Sequence, residues 1–118
     1  MPPRAVIVDD HAAFRASARR LLELSGFEVV GEAPDGAAGL ALAHELEPDL
    51  VLLDIGLPQM NGFDVAAQLV DTPSKVILIS SRQRMDLSRR IRDSGALGFL
   101  SKGDLTPEAL LDLIGAAT

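Results

Sequence analysis

The stretch DLVLLDIGLP, residues 49–58, carries four apolar residues, Leu50 to Leu53, straight into one carboxylate, Asp54, and then into a turn closed by Pro58. An apolar run this short, with no polar alternation, fits a strand covered on both faces, which is the habit of parallel sheets. A charge immediately past such a strand emerges at the carboxyl edge, where open α/β sheets build their ligand sites. Asp54 is thus placed at a site, and the rest of the chain can be read for what accompanies it.

Four further short, largely apolar runs follow: Ala5 to Val8, Phe27 to Val30, Val76 to Ile79, and Leu97 to Leu100 interrupted by Gly98. Between them, apolar residues recur every three or four positions, as amphipathic helices require. These are Phe14, Ala18, Leu21 and Leu22; Leu40, Ala43 and Leu46; Phe63, Ala66, Leu69 and Val70; Leu87 and Ile91; and Leu110, Leu113, Ile114 and Ala117. Thr106 can cap the last helix, with Pro107 at its first position and Glu108 favouring its positive end. Gly26 and Gly95 stand where the first and fourth helices should stop. Five strands, each followed by a helix, predict a flavodoxin-like, doubly wound parallel sheet of order 2-1-3-4-5 with five helices on its two faces. Nothing marks a linker, a repeat or a low-complexity segment, so residues 1–118 are expected to form one domain.

With 118 residues and 47% hydrophobic content, the chain can bury a core without staples. It has no cysteine, which excludes a disulfide framework and thiolate metal sites. No apolar run approaches the roughly 20 residues of a membrane span, and the N-terminus is too short in apolar residues for a signal sequence, so a cytoplasmic protein is expected. A net charge of −6 repels a phosphate backbone and argues against direct nucleic-acid binding.

The other central strands also end in chemistry: AVIV runs into Asp9 and Asp10, VILI into Ser80 and Ser81, and GFLS into Lys102. Three carboxylates brought together repel one another unless a cation offsets them. Oxygen ligands without His or Cys favour a hard ion, and a water-open site of two or three carboxylates suits Mg²⁺. One carboxylate can then act as nucleophile toward a phosphoryl group, whose oxygens Lys102 and the Ser80 hydroxyl would bind.

The sequence resembles the receiver domains of two-component response regulators, of the chemotaxis-regulator type, over nearly its whole length. The resemblance rests on VIVDDH with Asp9 and Asp10, LVLLDIGLPQMNGFD with Asp54, Pro58 and Gly62, ISS with Ser80, and GALGFLSKG with Phe99 and Lys102. It implies that Asp54 receives a phosphoryl group from the phosphohistidine of a sensor histidine kinase or phosphotransfer protein. Asp10, Asp54 and the Gly56 backbone carbonyl would bind Mg²⁺, with Asp9 acting mostly through water. Ser80 would swing toward the phosphoryl group, Lys102 would pair with it, and Phe99 would change rotamer. The output would be a shift in the face formed by the fourth helix, fifth strand and fifth helix, which could also form a homodimer. Either the chain is a stand-alone receiver, or it is the regulatory part of a longer regulator whose DNA-binding output domain is absent from it.

Two positions depart from the family pattern. Gly103 follows Lys102 where many relatives have a cis proline, and a non-proline cis bond costs about 2.5 to 4 kcal/mol, so a trans bond or an altered loop is expected. Gly56 replaces the larger side chain that often screens the phosphoryl group from water.

Plainer roles compete at several residues. Asp9 or Asp10 could cap the first helix, Ser80 and Ser81 could be turn residues, and Phe99 could be a core aromatic. His11 reads as a helix-start residue near the site, and His44 as a solvated surface residue. Arg82, Arg84, Arg89, Arg90 and Arg92 form either a solvated face or a partner surface, with no helix-turn-helix pattern or interleaved aromatics beside them.

Competing functions are a Mg²⁺-dependent aspartyl phosphatase, a dinucleotide-binding module and a phosphorylation-independent receiver-like scaffold. The haloacid-dehalogenase type of phosphatase needs a second acid where Gly56 stands, and normally a cap domain as well. The dinucleotide module needs a glycine-rich turn that VDDHAAF lacks. The intact acids, hydroxyl and lysine speak against the scaffold.

Overall fold

A computed structural model of the chain describes residues 2–81 and 88–116. The strands are β1 (Arg4–Val8), β2 (Glu28–Ala33), β3 (Leu50–Asp54), β4 (Lys75–Ser80) and β5 (Gly98–Ser101). The helices are α1 (Ala12–Leu24), α2 (Gly36–Leu46), α3 (Gly62–Leu69), α4 (Ser88–Asp93) and α5 (Pro107–Ala116), with a 3₁₀ turn at Lys102–Asp104. All pairings are parallel, in the order β2-β1-β3-β4-β5. The expected topology is therefore the observed one.

The apolar runs lack alternation because the sheet has two cores. Val6, Val8, Val51, Leu53, Leu78 and Phe99 face one, with Ala43, Phe63, Leu69 and Ile91 from the covering helices. Ala5, Ile7, Leu50, Leu52, Ile77 and Ile79 face the other, with Ala18, Leu22 and Leu110. Successive side chains point to opposite faces, so a strand buried on both must be apolar at every position.

Several local expectations hold at the level of single residues. Gly26 and Gly95 follow α1 and α4 at φ of 95° and 80°, a region that costs glycine little. Thr106 Oγ1 accepts the Ala109 N–H at 3.0 Å, capping α5. No cis peptide bond occurs among the described residues, so Lys102–Gly103 is trans.

Others are corrected. Phe27 precedes β2 instead of opening it, and the strand continues to Ala33 because β1 supplies pairing partners as far as Val8. Val70 belongs to the C-cap of α3 and is exposed, since the apolar stripe ends at Leu69. Neither acid occupies the N-cap of α1; His11 does, without a side-chain cap bond, while Asp9 Oδ1 accepts the His11 N–H at 2.8 Å. Leu87, Arg82, Arg84 and Ala117 lie outside the described residues.

Candidate phosphoacceptor site

Strand register assembles the site. Val8 pairs with Leu53, so one step further Asp9 stands beside Asp54. Asp54 pairs with Ile79, which brings Ser80 to the same edge, and Ser80 pairs with Ser101, the residue before Lys102. Gly62 fixes the loop after β3: a Cβ there would lie 2.5 Å from the Asp54 carbonyl oxygen and 2.7 Å from the Ile55 Cα. Only glycine lets the first turn of α3 close against the end of β3. Asn61 caps that turn by accepting the Asp64 N–H at 3.0 Å.

The predicted residues do converge. One oxygen each of Asp9, Asp10 and Asp54, together with a ring nitrogen of His11, lie within 4.8 Å of one another. Lys102 Nζ is 2.7 Å from Asp9 Oδ2 and 3.5 Å from Asp54 Oδ2. Gly56 N–H donates to Asp54 Oδ1 at 3.0 Å, and His11 Nδ1 lies 3.3 Å from Asp9 Oδ1 and 3.1 Å from Asp10 Oδ1. Asp9 is completely buried and ion-paired to Lys102. His11 is the N-cap of α1 beside the acids, the helix-start position near the site that was expected, and His44 is exposed as anticipated.

A cavity of about 440 Å³ opens over these groups, lined among others by His11, Asp54, Asn61, Ser80, Arg90 and Lys102. Ser80, which also lines it, is buried, and Phe99 is buried in the core. Burial raises the Asp54 carboxyl above its ordinary pKa; the Gly56 N–H pulls the other way, Asp9 adds to the rise, and Lys102 opposes it. The donor set is hard oxygen plus one imidazole, crowded enough for Asp9 to disfavour the Asp54 charge, and these residues fit a small divalent cation such as Mg²⁺.

Three contributors escaped the sequence reading. Asn61 could have been found from its spacing to Asp64, an ordinary N-cap signal. Phe14 was read only as part of an amphipathic stripe, yet its ring carries Lys102 Nζ 4.3 Å from its centroid. Arg90 was read only as one of a basic series, yet it reaches the cavity with its guanidinium 4.4 Å from the Phe63 ring centroid.

An open parallel sheet of this order, with acids at the ends of β1 and β3, a hydroxyl at the end of β4 and a lysine after β5, defines a receiver-type signalling domain. Residues 5–114 match the family model described as response regulator receiver domain, and the chain belongs to that family. It is 40% identical over 116 residues to BvgA of Bordetella pertussis, covering 97% of this chain and 54% of that protein. To the "Probable transcriptional regulatory protein NarL" of Mycobacterium tuberculosis it is 40% identical over 117 residues, covering 97% and 54%. The chain thus spans about half the length of these curated relatives. The solved NarL signal receiver domain from M. tuberculosis superposes with a TM-score of 0.85 at 42% identity, covering 94% of each chain. A LuxR-family two-component response regulator from Aurantimonas sp. SI85-9A1 gives 0.87 at 29% identity, covering 99% of this chain and 85% of that one. Among the described residues, no helix is long and apolar enough to cross a membrane.

Proposed function

We propose that this chain is a phospho-accepting switch in which Asp54 takes a phosphoryl group from the phosphohistidine of a sensor histidine kinase or phosphotransfer protein. The observation that carries this reading is the convergence of three carboxylates within 4.8 Å, with Lys102 Nζ 3.5 Å from Asp54 Oδ2. An Asp54 carboxylate oxygen forms the new O–P bond as the donor's N–P bond breaks. The bonding pair returns to the imidazole nitrogen, which takes up a proton, and an acyl phosphate remains on Asp54.

Lys102 changes partners in this step. Its ammonium, shared between Asp9 and Asp54 before transfer, pairs with the phosphoryl oxygens as charge spreads over them. The Gly56 N–H now donating to Asp54 Oδ1 is close enough to follow the carboxylate into its acylated form. Mg²⁺, held by Asp10, Asp54 and the Gly56 carbonyl with Asp9 behind them, would offset negative charge on the phosphoryl oxygens. The chain assists its own phosphorylation and dephosphorylation and is otherwise no enzyme. Gly56 has no side chain to shield the acyl phosphate from water.

Output follows from the buried pair Ser80 and Phe99. Ser80 turns its hydroxyl to the phosphoryl group, Phe99 moves into the space released, and the α4–β5–α5 face shifts in population. That face serves as the contact for a homodimer or an output domain. Relatives named as transcriptional regulators, of which this chain covers 54%, support a DNA-binding output domain and a cytoplasmic setting. The test is exposure to acetyl phosphate with Mg²⁺ or with EDTA, followed by intact mass. One phosphoryl addition, lost with EDTA and labile to hydroxylamine, is expected; no addition under either condition would favour a phosphorylation-independent scaffold.

A further inference from the structure

Among the described residues, Arg90 is a cation lining this site that the receiver reading leaves without a role. It lies on α4 next to Ile91, whose side chain is buried in the core and fixes the helix against the sheet. Arg90 itself is exposed on the cavity side, with its guanidinium over the Phe63 ring and both residues lining the cavity that holds Asp54. Among the described residues no carboxylate pairs with it. Lys102, by contrast, is already committed to Asp9 and Asp54.

Charge shows what such a cation is suited to. Asp9, Asp10 and Asp54 together carry three negative charges, which Lys102 and one divalent ion would offset. Converting the Asp54 carboxylate to an acyl phosphate dianion leaves one negative charge over, and an anionic donor arriving at the mouth adds more. A planar guanidinium resting on an aromatic face at an exposed position loses little on leaving it. Its fork matches two phosphoryl oxygens at once, which a lysine ammonium cannot do.

We infer that Arg90 is a donor-binding residue, which leaves the Phe63 ring to engage the phosphoryl oxygens of an anionic phosphodonor at the mouth of the Asp54 cavity. The inference rests on the phosphoacceptor reading and concerns capture of the donor, not attack by Asp54. It therefore predicts a loss in the second-order rate constant with acetyl phosphate and unchanged Mg²⁺ affinity.

The experiment compares wild type, Arg90→Met and Arg90→Lys with acetyl phosphate as the donor, following the rate of phosphorylation against donor concentration at low and high salt. Arg90→Met should react about fivefold more slowly, the size of one partly exposed charge-assisted contact, with a weaker dependence on salt. Arg90→Lys should fall between the two. Titration with beryllofluoride, a non-covalent phosphoryl mimic, supplies a readout without turnover, and Arg90→Met should bind it more weakly while Mg²⁺ alone binds as in wild type. Equal rates and equal beryllofluoride affinity in wild type and Arg90→Met would overturn the inference and leave the phosphoacceptor reading standing. Loss of Mg²⁺ binding together with the rate would also overturn it, because Arg90 would then be a structural residue. Failure of wild type itself to accept phosphate would instead remove the reading on which the inference rests.

Discussion

Lys102 Nζ lies closer to Asp9 than to Asp54, 2.7 Å against 3.5 Å. Asp9 is wholly buried, with the His11 N–H on one carboxylate oxygen and this ammonium on the other. Removing the lysine strands a buried anion, which costs more than losing a surface ion pair. Lys102→Ala is expected to lower stability by about 2 kcal/mol in EDTA, a discounted value because the site opens to water. It should also bind Mg²⁺ more tightly, since a competing cation is gone. Urea denaturation and metal titration measure both; unchanged stability and unchanged affinity would show that the ion pair does not hold the site.

Asp54 gives a pH dependence with a definite sign. Its folded-state pKa is raised, chiefly by burial, so the folded chain holds a proton that the unfolded chain has already released. Stability from this group is fully present below the unfolded carboxyl value and is lost as pH rises through the folded one. At neutral pH the ionised side chain therefore opposes folding, and Asp54→Asn should be more stable in EDTA by on the order of 1 kcal/mol. The difference from wild type should shrink toward acid pH. Thermal melts across pH check this, and an Asp54→Asn protein less stable than wild type at neutral pH would contradict it.

Gly62 tests the packing that aims the site. The Cβ of Gly62→Ala would sit 2.5 Å from the Asp54 carbonyl oxygen, a backbone atom that cannot rotate away. The expected loss is about 3 kcal/mol, near the upper end for forcing an extra methyl into a packed position. A melting temperature equal to wild type would mean that α3 does not close on β3 as described.

The Lys102 ammonium rests over the Phe14 ring, 4.3 Å from its centroid. Phe14→Leu keeps the apolar bulk but removes the ring face, so stability should fall by less than about 1 kcal/mol. The rate with acetyl phosphate should drop severalfold while Mg²⁺ affinity stays fixed, because the ring faces the ammonium. An unaltered rate would show that the ion pairs alone hold Lys102.

The strand-borne half of the site was legible in the sequence because a buried parallel strand leaves little freedom. Its apolar run must end at the sheet edge, and the next residue must emerge there, which is how Asp9, Asp54, Ser80 and Lys102 could be placed together. Helix-borne members were less visible. Whether Arg90 faces a cavity or solvent depends on how α4 docks through Ile91, and no spacing within a run of arginines reports that docking. Phe14 satisfies the stripe of α1 whether or not a lysine lies over its ring. Glu47, which ends α2 at a φ of 47° without glycine, shows the same limit, since a non-glycine residue can close a helix in a conformation that its local propensity disfavours.

The most direct measurement sets wild type beside Asp54→Ala, both incubated with acetyl phosphate and Mg²⁺ and weighed intact. One phosphoryl group on wild type and none on Asp54→Ala is the expected result. A phosphoryl group that persists on Asp54→Ala would take the acceptor role away from Asp54.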